Sequence, residues 1–99
     1  MCEFKIIKKN DGSQILEDIV VISYTNDNEL LFKDVLGMGE RLESALILSV
    51  NTLNQRCEIV EHPLVNDFIK LIDKFIAKTV KESDINEFQG KLDEIKKQI

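Results

Sequence analysis

Apolar residues recur along this chain with two different periods, and the change falls at Pro63. Before it, apolar and polar positions alternate in short runs, the period of half-buried strands. In residues 2–9, Cys2, Phe4 and Ile6 share one face while Glu3, Lys5 and Ile7 share the other. Further runs cover residues 15–25, 29–35, 41–50 and 55–61. In the second, residues 19–22 are apolar on both faces, which predicts a strand that is bent or covered on both sides. In the fourth, Leu42, Leu46, Leu48 and Val50 fall in phase. Polar turn chemistry separates the runs at Asn10-Asp11-Gly12-Ser13, at Asn26-Asp27-Asn28, across residues 36–40 and across residues 51–54. Asn, Asp and Gly tolerate the positive φ that tight hairpins need.

After Pro63 the period becomes helical. Leu64, Phe68, Leu71, Ile72, Phe75 and Ile76 recur at steps of three and four, and Val65 and Ile69 widen the stripe. Proline is well suited to the first position of a helix. A second stripe, Ile85, Phe88, Leu92, Ile95 and Ile99, is narrower and resembles a coiled-coil seam. The two stripes are out of phase, which predicts a break near Glu82 and an antiparallel αα-hairpin. Ser83 is the expected N-cap of the second helix, with Asp84 and Glu87 in its first turn.

These patterns predict a mainly β chain with a C-terminal α extension. Residues 1–62 form a small five-stranded barrel, SH3-like or Sm-like, and residues 63–99 a helical hairpin. The expected barrel pairs its first strand with its last, and an antiparallel pairing there would bring Cys2 near Glu61 and His62. The first helix has a wider stripe than the second can cover. Its surplus must lie on the barrel or on another protomer, and a homodimer is expected.

The chain has 99 residues, 43% hydrophobic, with a formal charge of −5. That length supports one modest core and leaves little room for a deep substrate cleft. Residues 1–62 hold six basic and eleven acidic side chains, and residues 63–99 hold seven of each. The excess acid therefore lies wholly in the strand region. An acidic surface repels phosphate and attracts cations or basic partners. With one Tyr and no Trp for base stacking, the composition argues against nucleic acid. The five phenylalanines, at positions 4, 32, 68, 75 and 88, read as core by their spacing. No apolar run has the length of a signal-peptide core or a membrane span, so the expected location is the cytoplasm.

No catalytic constellation stands out, and a binding protein is expected rather than an enzyme. The Gly37-Met38-Gly39 turn lacks the following helix that a phosphate loop requires. Two cysteines without a C-x-x-C pair give neither a disulfide framework nor a zinc knuckle. Cys57 is in phase with Ile59 and reads as core. Cys2 has two open readings. It is in phase with Phe4 and Ile6, so it fits a small core position. It also follows the initiator, and its small side chain allows removal of Met1. That would leave an α-amino group and a thiol on one residue. Amine, deprotonated backbone amide and thiolate together favour the square-planar geometry of Ni(II) or Cu(II). His62, the single histidine, is the other candidate ligand, and it alternatively serves the strand-to-helix junction.

As a set, Met1-Cys2-Glu3-Phe4-Lys5, the Asp11-Gly12 turn and the run Leu31-Phe32-Lys33-Asp34-Val35-Leu36-Gly37 resemble the CooT family of small nickel-binding proteins. Some members of that family carry the label of predicted RNA-binding protein. The resemblance covers roughly residues 1–61. It implies a small, often dimeric barrel that binds Ni(II) through Cys2. It also implies an accessory role in supplying nickel to a client such as carbon monoxide dehydrogenase. Residues 63–99 go beyond the usual short member of that family. The alternatives are an RNA-binding small barrel and a structural adaptor acting through its helical hairpin.

Overall fold

The computed structural model describes residues 3–99. Seven strands precede two helices: β1 (Phe4–Lys8), β2 (Ser13–Ile19), β3 (Val21–Tyr24), β4 (Leu30–Lys33), β5 (Gly39–Leu42), β6 (Ala45–Asn51), β7 (Arg56–Glu61), α1 (Pro63–Ala77) and α2 (Glu82–Lys96). They form a four-stranded sheet, β2-β1-β7-β6, and a three-stranded sheet, β3-β4-β5. Neither helix is long and apolar enough to cross a membrane.

Seven strands replace the expected five because two of the runs pass from one sheet to the other. The second run breaks at Val20 into β2 and β3. Just before the break Asp18 adopts a left-handed φ of 57°. Phe4 pairs with Ile19 while Ile6 pairs with Leu16, so β2 carries an extra residue opposite β1. Such a bulge bends a strand and increases its twist. It explains why residues 19–22 are apolar on both faces: the chain turns a corner there. The fourth run breaks at Glu43 and Ser44 into β5 and β6, and a further bulge lies between Ile47 and Ser49. That bulge disturbs the expected phase, and Leu46, Leu48 and Val50 are largely exposed.

The turns follow the sequence chemistry closely. Gly12, at φ 77°, donates to the Lys8 carbonyl (2.8 Å), and Asp11 Oδ1 accepts from Ser13 N (2.9 Å). Asp34 Oδ1 accepts from Leu36 N (2.9 Å) and Met38 N (3.1 Å). Asn51 Oδ1 does the same for Leu53 N (2.9 Å) and Asn54 N (3.3 Å). Each is a short polar side chain satisfying the backbone of its own turn. The Gly37-Met38-Gly39 segment leads into strand β5, with no helix after it. A Cβ on Gly39 would overlap the Phe32 carbonyl on β4, so the close approach of these strands requires glycine.

The core lies between the sheets and consists of Ile6, Ile19, Leu30, Phe32, Ala45, Cys57 and Ile59. Cys57 and Ile59 share the buried face of β7 as their phase predicts. Of the five phenylalanines, only Phe32 is fully buried. Phe4 packs against the core edge, and Phe68 and Phe75 are half-exposed. The expectation that all five are core residues is corrected: helical spacing defines a stripe without specifying what covers it.

The first and last strands pair, but parallel: Lys5 faces Arg56 and Lys8 faces Ile59. This overturns the antiparallel expectation, and the reason is topological. Four successive reversals leave the first and fifth runs pointing the same way, so a pairing between them is parallel.

Pro63 opens α1 as expected, and His62 caps it, its Nδ1 accepting from Leu64 N at 3.1 Å. The helix ends at Lys78, which takes the left-handed conformation at φ 60°. The N-cap of α2 is Lys81, not Ser83. Asp84, three residues on, accepts the Lys81 backbone N–H at 2.9 Å. A carboxylate at the third helical position satisfies that donor, and Ser83 falls inside the first turn. The helices run antiparallel, held by Lys74–Asp84 and Lys91–Asp67 ion pairs, each at 2.6 Å.

Candidate functional site

Cys2, the candidate nickel ligand, lies outside the described residues. The strand that follows it is well defined. Lys5 N donates to Gln55 O (2.9 Å), so the start of β1 sits beside the start of β7. His62 lies beyond the other end of β7. At about 3.3 Å of rise per residue, the strand carries it roughly 20 Å from the Phe4 end. The antiparallel pairing, on which the expected juxtaposition of Cys2 with Glu61 and His62 rested, is replaced by a parallel one.

His62 is instead a junction residue. With Nδ1 accepting from Leu64 N, only Nε2 is left for another partner. Around it, the Ser44 hydroxyl donates to the His62 carbonyl and accepts from Asn66 N (2.9 Å). His62 N donates in turn to Ser44 O (3.2 Å). The Asn66 side chain donates to the carbonyls of Asp27 (3.2 Å) and Asn28 (3.1 Å). The corner between β5 and β6, the β3–β4 turn and the first turn of α1 are thus tied together. Asn66 and Ser44 were not distinguishable as junction residues in the sequence; only the fold brings them together.

The cleft beside this junction is lined by Asp27, Glu29, Glu43 and Asp67, with Lys70 as its one cation. It is open to solvent, and Arg41 (3.7 Å from Glu29) and Lys91 (2.6 Å from Asp67) compensate part of its charge. Among the described residues, no group of three or more His, Cys, Asp or Glu side chains is arranged to hold a metal ion.

Cys57 is the other thiol. It is fully buried among the sheet side chains. Burial, with the nearby Glu58 carboxylate, pushes its thiol above the ordinary value of 9.0. The thiolate is the metal-binding and nucleophilic form, so this site is chemically quiet.

Tyr24 is the functional-looking residue whose role the alternation pattern missed. Its hydroxyl crosses from β3 to β6, donating to Ala45 O (2.9 Å) and accepting from Ile47 N (3.3 Å). It occupies backbone groups on the free side of β6, and burial raises its ionisation above the ordinary 10.0.

The helical hairpin has two unlike faces. The ion pairs lie on one, with Lys70 and Glu87 beside them. Helical geometry puts Phe68, Ile72, Phe75 and Ile76 of α1 on the opposite face, beside Ile85 and Leu92 of α2. Phe68 stacks obliquely on Phe88 across the seam, ring centroids 6.0 Å apart. The exposed phenyl rings of α1 are thus neighbours of aliphatic side chains, while Lys70 and Lys74 lie on the charged face. No family model matches this chain, and no curated protein matches it at a significant level.

Proposed function

We propose that this chain is a nickel-binding accessory protein that holds Ni(II) through Cys2 and serves a nickel enzyme as client, carbon monoxide dehydrogenase being one example. The site belongs to a small cytoplasmic barrel of five runs with a helical extension. The barrel reading is supported by the cycle of pairings. Each run is bonded to the next, and the fifth is bonded back to the first through β7 and β1.

One observation carries the metal reading: of the two cysteines in the chain, Cys57 is sealed in the core with its thiolate form disfavoured. Sulfur ligation therefore falls to Cys2. With Met1 removed, Cys2 offers an amine and a thiolate that close a five-membered chelate, and two copies in a dimer, or one with nearby groups such as a deprotonated backbone amide, would complete a square-planar Ni(II) shell. Binding would release the thiol proton, so affinity would fall as the pH is lowered. His62 is a weaker second ligand, because its Nδ1 caps α1 and it lies at the far end of β7 from the start of β1.

The test is a Ni(II) titration of protein lacking Met1, followed by ultraviolet absorption, beside Cys2→Ser. A saturable thiolate-to-nickel charge-transfer band that disappears in the variant supports the reading. Equal behaviour of the two proteins removes it.

A second reading, an adaptor acting through the helical hairpin, draws on the open apolar face of α1 and α2. The RNA-binding alternative gains nothing comparable, since the strand region carries the whole acidic excess of −5 and no basic stripe.

A further inference from the structure

We infer that the apolar face of the α1–α2 hairpin is a docking surface for the hairpin of a second copy of this chain, the two forming a four-helix bundle. The inference is independent of the nickel reading.

Neither helix contains a buried residue. Isolated helices of this length are marginal in water, and their stability in proteins comes from burying an apolar face. The seam between α1 and α2 uses Phe88, Ile95, one side of the Phe68 ring and the two ion pairs. It leaves Phe68, Ile72, Phe75 and Ile76 of α1 and Ile85 and Leu92 of α2 between 37% and 75% exposed. Together they present on the order of 500 Å² of apolar surface, the size of the largest patch on a typical monomer and often a functional one. A standard interface buries roughly 800 Å² per partner, so the polar rim of the hairpin must supply the remainder.

Two features select a second copy as the occupant. The first is charge. Residues 63–99 carry seven acidic and seven basic side chains, while residues 1–62 carry the whole excess of −5. Two copies meeting through their hairpins bring neutral surfaces together and keep the acidic regions apart. The second is constancy. A hairpin with no buried residue needs its cover whenever the chain is folded, and a second copy is at hand wherever the chain itself is made. The geometry also suits a two-fold pair, because a two-helix layer with one apolar face packs on an identical layer as a four-helix bundle.

The test is the mass of the full chain in solution, with metal chelated, over a hundredfold range of concentration. The expected result is a species of twice the 11.4 kDa chain mass. Ile72→Glu or Phe75→Glu should raise its dissociation constant at least tenfold, while Leu53→Glu, on the exposed β6–β7 turn, leaves it unchanged. A charge on the helix face can also unfold the hairpin, so the unmutated chain supplies a second readout. Its helical melting temperature should rise with concentration, as linkage to association requires. A monomeric mass throughout, with a concentration-independent melt, overturns the inference. So does a dimer that survives both helix-face charges with its helices intact, which would place the contact on the strands. A monomer whose helical amides are strongly protected from exchange also overturns it, because the cover would then come from its own chain.

Discussion

The side chain of Asn10 grips the backbone of Glu61 from both sides: Nδ2 donates to the Glu61 carbonyl and Oδ1 accepts its N–H, each at 2.9 Å. The amide acts as one more rung of the parallel β1–β7 ladder, placed just beyond Lys9, whose N–H reaches Ile59 O at 2.8 Å. Asn10→Ala should destabilise the chain by about 1–2 kcal/mol, the usual cost of losing such a pair at a partly solvated site. Asn10→Asp should do no better, since it loses the donor and adds a charge beside Glu61. Urea unfolding midpoints would check both; an unchanged midpoint for Asn10→Ala would show that the rung contributes nothing.

Tyr24→Phe keeps the ring and removes the bridge to β6. Ala45 O and Ile47 N would lose their partner, at a cost of about 1–3 kcal/mol. Exchange of the Ile47 amide should accelerate more than that of amides in β1, which gives the effect a location as well as a size.

Two glycines should respond in opposite directions to the same substitution. Gly39→Ala drives a methyl group into the Phe32 carbonyl and should cost about 3 kcal/mol or more, through strain in the β4–β5 pairing. Gly90→Ala lies within α2 and meets nothing within 4 Å, so it should stabilise by roughly 0.5–1 kcal/mol. Lys78→Gly belongs with the latter, because φ 60° at that cap is unfavourable for a residue with a Cβ. Thermal melts of the three variants would test the ordering.

The protein should lose stability on the alkaline side as pH rises past about 9. The Cys57 thiol and Tyr24 phenol are both raised above their ordinary 9.0 and 10.0 by burial. The unfolded chain therefore ionises first and is favoured as pH climbs. Lys91, raised by its hydrogen bond to Asp67, adds a contribution that is present below its ordinary 10.5 and lost as pH passes its folded value. On the acid side, Asp84 is lowered by its Lys74 and Lys81 hydrogen bonds. Its contribution is full above the ordinary 3.8 and disappears as pH falls through the folded value. Removing Cys57 as Cys57→Ala should flatten part of the alkaline decline; an unaltered profile would assign it elsewhere.

Thiol labelling provides a separate check on the same burial. In a Cys2→Ser background, Cys57 should resist an aromatic disulfide reagent in the folded chain and react fully in denaturant. Rapid labelling without denaturant would contradict a sealed core.

Much of this fold was legible because turns are written in side-chain chemistry. Asp11-Gly12, Asn28 and Asn51 mark reversals through their own hydrogen bonds or φ preferences, and Pro63 marks the switch to helix. The bend at Val20 was announced by apolar residues on both faces of 19–22, whereas the corner at Ser44 was hidden, because a strand that passes between two sheets keeps its alternating pattern. The direction of the β1–β7 pairing was available from counting reversals, without any residue-level signal. Ser83 misled because it is the better capping type, whereas Asp84 performs the task from inside the helix. At the candidate site, Cys57 was readable from its phase with Ile59. The separation of His62 from the start of β1 was not, since it depends on register. Cys2 itself stands on chemistry and resemblance.

The pairing of β1 with β7 also governs the order in which the molecule can be made. β1 is an interior strand of the larger sheet, between β2 and β7. Its partner on one side follows within a few residues, while its partner on the other is the last strand to leave the ribosome. Throughout the intervening synthesis the β1–β2 hairpin carries a bare edge, the kind of surface that templates aggregation. Lys5, Lys8 and Lys9 lie along that strand and the turn after it, and lysine is a common guard against unwanted strand addition. Closure over such a sequence separation is slow compared with the local formation of the helices. The nascent chain is therefore most exposed to strand addition before Glu61 is made, and the three lysines are placed where such charges discourage it.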